Sequence, residues 1–340
     1  RSKKLFFDTK HGRGVTAGAA RINYPVPAGH GTHAHVPSPP NSGWISIEPP
    51  NQTSAHVVTH EYGHVVMANL WAGFSPNWPT SDCPSPHFIQ SPSGPGCALS
   101  EGFANFWSWY STNNPVYLFG SGSTLNFETR SGFASGDQVE GNVAAAMGDM
   151  FDASNDGTAG TPNDRLSDGV QHIWHTTSQQ GNSNFAGWWS TYLALSHDPC
   201  AALDILKFNT ISYTLAGCNS SVGLSSSPNP SNFTQPVTFT ATVAGASPTG
   251  TVTFVEGATT LGTVSIGAGT ATLTRSDLSA GAHTIRAIYN PGNLGASQSS
   301  LLTHTVQSVT PPANNDFVNA AIISGISGTT AGSNVGATKQ

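Results

Sequence analysis

A chain of 340 residues is longer than one ordinary domain and long enough to bury a large core. Charged residues make up only 9% of it, against roughly 25% in a typical globular protein, and its richness in Gly, Pro, Ser, Thr and Asn suits an exported protein. The net charge of −6 is unevenly placed: residues 1–21 hold six bases and one acid, residues 22–219 three bases and fourteen acids, and the rest balances. That acidic body argues against nucleic-acid binding, and no stretch reaches the roughly 18 apolar residues of a membrane span.

In chain order, residues 1–29 read as strands and loops, with Val15 to Val26 the clearest strand candidate. The opening Arg1–Phe7 is too short for a signal peptide and is interrupted by Asp8, so the chain is expected to begin after processing or trimming. His30-Gly31-Thr32-His33-Ala34-His35 has the composition of a metal-binding tract. Its spacing matches no structural zinc pattern, which favours a polar loop beside an active site. Gly43–Glu48 is predicted to be a short strand.

The most informative stretch follows. Val58-Thr59-His60-Glu61-Tyr62-Gly63-His64-Val65-Val66 carries His-Glu-x-x-His in an apolar, helix-compatible context that Gly73 would close. Residues four apart lie one above the other on a helix, so His60 and His64 can send two imidazoles to one Zn²⁺. Glu61, part-way round the helix, would hold a water as general base. His56, one turn earlier, reads as an ordinary helix-start histidine. A hydrolytic zinc site takes three protein ligands and one open position. A third histidine six residues beyond His64 is ruled out by Leu70, which leaves a glutamate from a second helix. Ala98–Tyr110 supplies Glu101, with Ser100 as the expected cap and Phe103, Phe106, Trp107 and Tyr110 at helical spacing. Between the two helices, the prolines of residues 73–97 predict a loop.

A third helix is predicted over Asp137–Asp152, with Val139, Val143, Met147 and Met150 on its apolar face. Its Glu140 and Asp149 either support the metal shell or substrate, or face solvent. Asp152-Ala153-Ser154-Asn155-Asp156-Gly157 resembles a calcium loop, but Asn163 stands where an EF-hand has its glutamate. An irregular Ca²⁺ site using Asp152, Asp156 and Asp164 or Asp168 competes there with a plain acidic turn. Helical texture then runs through Val170–Thr176, Phe185–His197 and Ala201–Ile211. The four cysteines fall in two close groups, favouring Cys83–Cys97 and Cys200–Cys218 disulfides and an oxidising, extracellular compartment.

His60-Glu61-Tyr62-Gly63-His64 followed by Ser100-Glu101-Gly102-Phe103-Ala104 resembles the gluzincin metallopeptidases, the broad thermolysin-like group, and in particular its secreted bacterial members. The resemblance spans roughly residues 20–215. It implies zinc on His60, His64 and Glu101 with Glu61 as base, and a substrate backbone laid along an edge strand such as 43–48. An aspartate that orients a ligand imidazole is usual four residues after the ligand glutamate. Here that position is Asn105, whose amide oxygen can accept the same N–H but makes the ligand less basic. Relatives also show a Val-Glu-Gly-x-Val-Ala segment, like Val139-Glu140-Gly141-Asn142-Val143-Ala144. Chemistry of this type further requires a group that stabilises the oxyanion; His172 and His175 lead, with Tyr117 and Tyr192 in reserve.

Near Asn219 helical periodicity gives way to short alternating strands: 236–243, 251–256, 259–266, 269–275, 282–290 and 297–306. They predict a β-sandwich of about seven strands. Pro236–Val243, Pro248–Phe254 and Gly281–Tyr289 resemble a bacterial immunoglobulin-like repeat, which implies a spacer or adhesive role with cell-surface or matrix contact. Residues 308–340 read as a linker and the start of a further β domain that the natural chain would continue.

The sequence thus predicts a multidomain α+β protein. A mainly helical zincin-type domain with a small N-terminal sheet (1–219) precedes an all-β sandwich (220–307). The implied activity is secreted zinc endopeptidase action on polypeptides, with Ca²⁺ as a second candidate ion. The rival is a non-catalytic surface adhesin that keeps a peptidase scaffold.

Overall fold

A computed structural model describes residues 4–5, 20–23, 31–35, 43–49, 51–71, 82–154, 160–161, 164–167, 169–179, 183–195 and 198–308. The chain divides into two compact units, Arg1–Cys218 and Asn219–Gln340.

The first unit opens with strands β1 (Lys4–Leu5), β2 (Ala20–Asn23), β3 (His33–His35) and β4 (Trp44–Ser46), ordered β1-β2-β4-β3 in one sheet. β4 pairs with β2 on one side and β3 on the other. The 43–48 segment is therefore interior, and the edge belongs to residues 33–35, which the sequence predicted as loop. The alternation explains this: Ala34 packs on the core and pairs with Ile45, while His35 stacks on its cross-strand partner Trp44 with ring centroids 3.2 Å apart. His30 lies outside the described residues.

Helix α1 (Ala55–Leu70) is capped by Ser54, whose hydroxyl accepts from the Val57 amide at 3.2 Å. Every residue from Glu61 to Leu70 is buried. Trp71 closes the helix; the predicted stop at Gly73 lies outside the described residues. Helix α2 (Pro95–Thr112) starts earlier than predicted. Pro95 suits a first turn, where its missing N–H has no helical partner, and the Asp82 carboxylate accepts from the amides of Gly96 (2.9 Å) and Cys97 (2.7 Å). Ser100 is therefore no cap; it is buried within the helix, donating to the Cys97 carbonyl at 3.2 Å. Glu101 moves from the first turn to the second, and the loop before it ends at Gly94.

A hairpin of β5 (Val116–Leu118) and β6 (Thr124–Asn126) leads to helix α3 (Glu140–Phe151). It begins later than the predicted 137 because its preceding residues are engaged elsewhere: Val139 bridges Pro92, and Asp137 accepts from the Tyr213 hydroxyl at 2.6 Å. Helices α4 (Val170–Ser178), α5 (Phe185–Ala194) and α6 (Pro199–Phe208) complete the unit. Disulfides join Cys83 to Cys97 and Cys200 to Cys218, as the spacing suggested.

α2 is the central helix, and two glycines let it approach its neighbours. A Cβ at Gly63 would sit 2.8 Å from the Ala104 Cα, and one at Gly102 would sit 2.6 Å from the Val143 Cβ and 3.0 Å from the Glu140 carbonyl oxygen. Such contacts are below any tolerable separation, so α1 and α3 can close on α2 only with glycine there. Glu101 is thereby held between the histidine helix and the start of α3.

The second unit contains strands β7 (Ser221–Ser227), β8 (Ser231–Asn232), β9 (Val237–Ala244), β10 (Gly250–Glu256), β11 (Thr259–Ser265), β12 (Thr270–Arg275), β13 (Gly281–Pro291), β14 (Ser297–Gln298) and β15 (Leu302–Gln307). One sheet runs β11-β10-β13-β15-β8, with β14 on β13, and the other runs β12-β9-β7. Val237, Phe239, Ala241 and Ala271 of the second sheet share one core with Val252, Phe254, Ile285, Ala287 and Tyr289 of the first. The single strand predicted over 297–306 is two, and β7 was missed because its serines and glycine give little hydrophobic signal. Residues 309–340 lie outside the described residues.

Candidate metal centre

His60 and His64, one turn apart on α1, present rings whose centroids are 5.0 Å apart at 90°. Their Nε2 atoms lie 3.1 and 3.3 Å from the same Glu101 oxygen, Oε2. His60 turns its other nitrogen to Asn105, Nδ1 to Oδ1 at 2.9 Å. With Nδ1–H donating to that amide oxygen, the His60 Nε2 lone pair points at a carboxylate. Two acceptors that close require a cation between them, a proton or a metal.

The spacing fits a metal. Ligands about 2.0–2.1 Å from a tetrahedral zinc stand roughly 3.3 Å from one another, close to both separations above. Among the described residues, His60, His64 and Glu101 form one of two groups of candidate ligand atoms that converge. The other, His87, Cys97 and Glu140, cannot act as a three-ligand site while Cys97 is in a disulfide.

Electrostatics agree with this clustering. Burial pushes the His64 imidazole down, but the Glu101 carboxylate and Glu61 outweigh it and bring it up to about 9. Burial acts against an ionised Glu101, yet His64 and His60 hold it well below the usual carboxylate range. Glu61 is raised, mainly by burial with Glu101 adding, against the opposing pull of His60 and His64. A carboxylate raised in this way is the more basic once ionised.

These side chains open into a cavity of about 490 Å³ that His60, Glu61, Glu101, His87, Tyr117 and Glu140 help to line. Its other walls include Val57, Phe88, Ile89, Phe119 and Leu125, an apolar cleft with a few convergent polar groups.

The Mycolysin C-terminal domain family matches residues 27–210, more than half of the chain. The chain belongs to that family. Membership of the mycolysin C-terminal domain family associates it with a secreted peptidase family, and residues 224–307 match the bacterial Ig-like domain, group 3. No curated protein matches the chain. Among solved structures it is similar to the fibronectin(III)-like modules of Clostridium thermocellum CbhA (20% identity over 26% of this chain and 98% of that one, TM-score 0.23). It is also similar to the mouse nectin-like molecule 4 ectodomain (18%, 26% and 30%, TM-score 0.20) and to an engineered protein (16%, 36% and 36%, TM-score 0.19).

Within the mycolysin-type unit, several predicted residues lie elsewhere than expected. His172 and His175, on α4, do not line the cavity, and Tyr192 is packed in the core against Trp188 and Trp189. Tyr117 does line it, edge-on to the His60 ring at 6.2 Å; burial, with Glu61 and Glu101 adding, raises its hydroxyl far above the ordinary range. Glu140 and Asp149 are not solvent-facing: Glu140 is 1% exposed and bonded to His87 Nδ1 at 2.8 Å, and Asp149 accepts from Asn209 Nδ2 at 2.6 Å. His56 is an ordinary structural histidine, its Nε2 at 3.2 Å from the Thr112 hydroxyl. Of the Ca²⁺ candidates, Asp156 and Asp168 lie outside the described residues, while Asp152 accepts from the Ser154 amide at 3.0 Å. Sequence reasoning passed over His87. The available signal was a lone histidine in a proline-rich loop closed by a cysteine pair, between the two segments that carry the candidate ligands.

No helix among the described residues is long and apolar enough to cross a membrane.

Proposed function

We propose that the first unit is a zinc endopeptidase acting outside the cell, with His60, His64 and Glu101 as ligands and Glu61 as general base. The observation that carries this reading is the approach of both imidazoles to one Glu101 oxygen, at 3.1 and 3.3 Å, beside a buried glutamate in an open cleft. Bound there, zinc would polarise the scissile carbonyl and acidify the attacking water. Glu61 takes the proton from that water as its oxygen bonds to the carbonyl carbon and the carbonyl π pair moves to oxygen. When the C–N bond breaks, Glu61 returns the proton to the departing amine. Asn105 holds the His60 tautomer that leaves Nε2 free to bind. Among the described residues the strand His33–His35 is an edge of its sheet, where an extended polypeptide could add, and Phe88, Phe119 and Leu125 favour apolar side chains. The immunoglobulin-like unit would serve as spacer or adhesive contact at a cell surface or matrix.

Glu61→Gln tests the reading. The variant should bind one zinc per chain like the wild type while hydrolysing casein roughly 10²–10⁴-fold more slowly. Wild-type protein that holds zinc yet cleaves nothing in a broad peptide library would favour the adhesin, and retained activity in Glu61→Gln would remove Glu61 from its role.

A further inference from the structure

The cleft contains a polar pair that the reaction above leaves unused. We propose that His87, oriented by Glu140, is the catalytic residue that hydrogen-bonds the oxyanion formed on the scissile carbonyl. This inference rests on the peptidase reading.

Three observations support it. First, among the described residues the His87 ring is anchored at one nitrogen only. Nδ1 donates to Glu140 Oε1 at 2.8 Å, the Glu140 side chain is 1% exposed and the His87 side chain 36%, and no described residue bonds to Nε2. A histidine held from behind by a buried carboxylate, with its other edge in a cleft, is arranged to donate outward.

Second, the pair lies close to the ligand set. Cys97 Sγ is 3.8 Å from Glu140 Oε1, and Cys97 precedes Glu101 by four residues on the same face of α2, about 6 Å of rise. Gly102 lets the first turn of α3, which carries Glu140, press against α2 beside Glu101. His87, Glu140 and Glu101 line the same cavity as Glu61.

Third, the loop is fixed. The Cys83–Cys97 disulfide and the Asp82 bonds to the amides of Gly96 and Cys97 hold one end. The Ile89 carbonyl accepts from Gly141, and the Gln90 carbonyl from Ala134, both at 2.9 Å. Pro92 bridges Val139. A donor on such a loop needs no reorganisation as charge develops. The hydrogen bond to Glu140 also raises the His87 imidazole above the ordinary histidine range against burial, with Glu101 adding and His60 opposing, which favours the donating, cationic ring.

The test uses the zinc-loaded full chain. His87→Ala, at a ring whose side chain is 36% exposed, should lower kcat on a peptide substrate by roughly 10²-fold. KM should stay within about threefold and zinc at one per chain. Affinity for a phosphinic peptide, a tetrahedral mimic, should fall by about the same factor as kcat. His87→Gln, which keeps an N–H donor, should recover part of the loss. Glu140→Gln should keep the ring in place and move the basic limb of the kcat profile to lower pH. A His87→Ala enzyme whose kcat stays within about threefold of wild type, or whose loss is matched by lost zinc, overturns the proposal. So does activity that survives His87→Ala but not Tyr117→Phe, which would give the role to Tyr117. Inert wild-type protein would overturn the peptidase reading along with it, whereas activity abolished by Glu61→Gln and indifferent to His87→Ala would overturn this inference alone.

Discussion

Asn105 offers the sharpest handle on the proposed metal centre. Its Oδ1 accepts from His60 Nδ1 at 2.9 Å, the residue is 0% exposed, and its Nδ2 has no hydrogen-bond partner among the described residues. Asn105→Asp replaces a neutral acceptor by a charged one and removes the orphaned donor. Neutral hydrogen bonds contribute about 0.5–1.5 kcal/mol net and charge-assisted ones about 1.5–3. The gain to a cation-bound His60 is then about 1–1.5 kcal/mol, roughly tenfold in zinc affinity. Without metal the sign reverses, because a second carboxylate is buried one turn from Glu101, where an uncompensated charge costs several kcal/mol. Chelator competition should therefore show Asn105→Asp binding zinc roughly tenfold more tightly, and melting curves should show a larger difference between zinc-loaded and chelated protein. Asn105→Ala should weaken binding by roughly 10–100-fold. If both variants bind zinc like the wild type, the His60–Asn105 contact does not act on a ligand, and the assignment of His60 fails.

Two further outcomes follow from packing and titration. Gly63→Ala would bring a Cβ to 2.8 Å from the Ala104 Cα and 3.1 Å from the Trp107 Cβ; helices α1 and α2 must separate, so stability should fall by about 1–3 kcal/mol and zinc affinity with it, as a melt and a chelator titration would register. In the sandwich, His304 is 0% exposed between the Ser226 and Ser231 hydroxyls at 3.1 and 3.0 Å, and burial, then the charge of His283, lowers its pKa. The unfolded chain takes up that proton near pH 6.5 and the folded one resists it, so stability contributed by His304 is present above about pH 6.5 and lost as the pH falls towards its folded value. His283 has the opposite sign: burial pulls it down, but the Ser279 carbonyl and Glu256 raise it, and its contribution fades as the pH rises through that raised value. In a His283→Gln background, the protection of the Val237–Ala244 amides relative to their intrinsic exchange rates should therefore fall below about pH 6.5; unchanged protection would refute the His304 assignment.

The parts of this fold legible in the sequence are those set by local spacing. His60 and His64 had to share a helix face, Glu101 sat in an aromatic helix of its own, the cysteines fell into two close pairs, and the alternating strands after Asn219 had a rhythm that helices cannot imitate. What stayed hidden was set by contacts distant in sequence. The start of α2 depends on Asp82, thirteen residues before Pro95, whose carboxylate replaces the cap that Ser100 would have supplied. Residues 33–35 become an edge strand only because β4 passes beside them. Most of all, the partnership of His87 with Glu140 spans 53 residues, and neither residue carries a pattern that announces the other. The later histidines, His172 and His175, had helical context in their favour but are not among the residues that line this cleft.

That contrast bears on whether the unit is a working enzyme or an inert scaffold. The crossing of α1, α2 and α3 is built as tightly as a core can be, with glycines admitting backbone contacts of Gly63 on Ala104 and Gly102 on Val143. In the same crossing Glu61, His64, Glu101 and Glu140 are all at most 8% exposed. Buried ionisable groups are expensive even when paired, and apolar replacements of similar volume are often as stable or more so. A scaffold kept only for shape has no use for the Glu61 carboxylate, whose ionised form burial disfavours and which the ligand set does not require. Its retention beside three converging acceptors, at the mouth of an open cleft, is a local departure from good packing of the kind that proteins keep where chemistry is done.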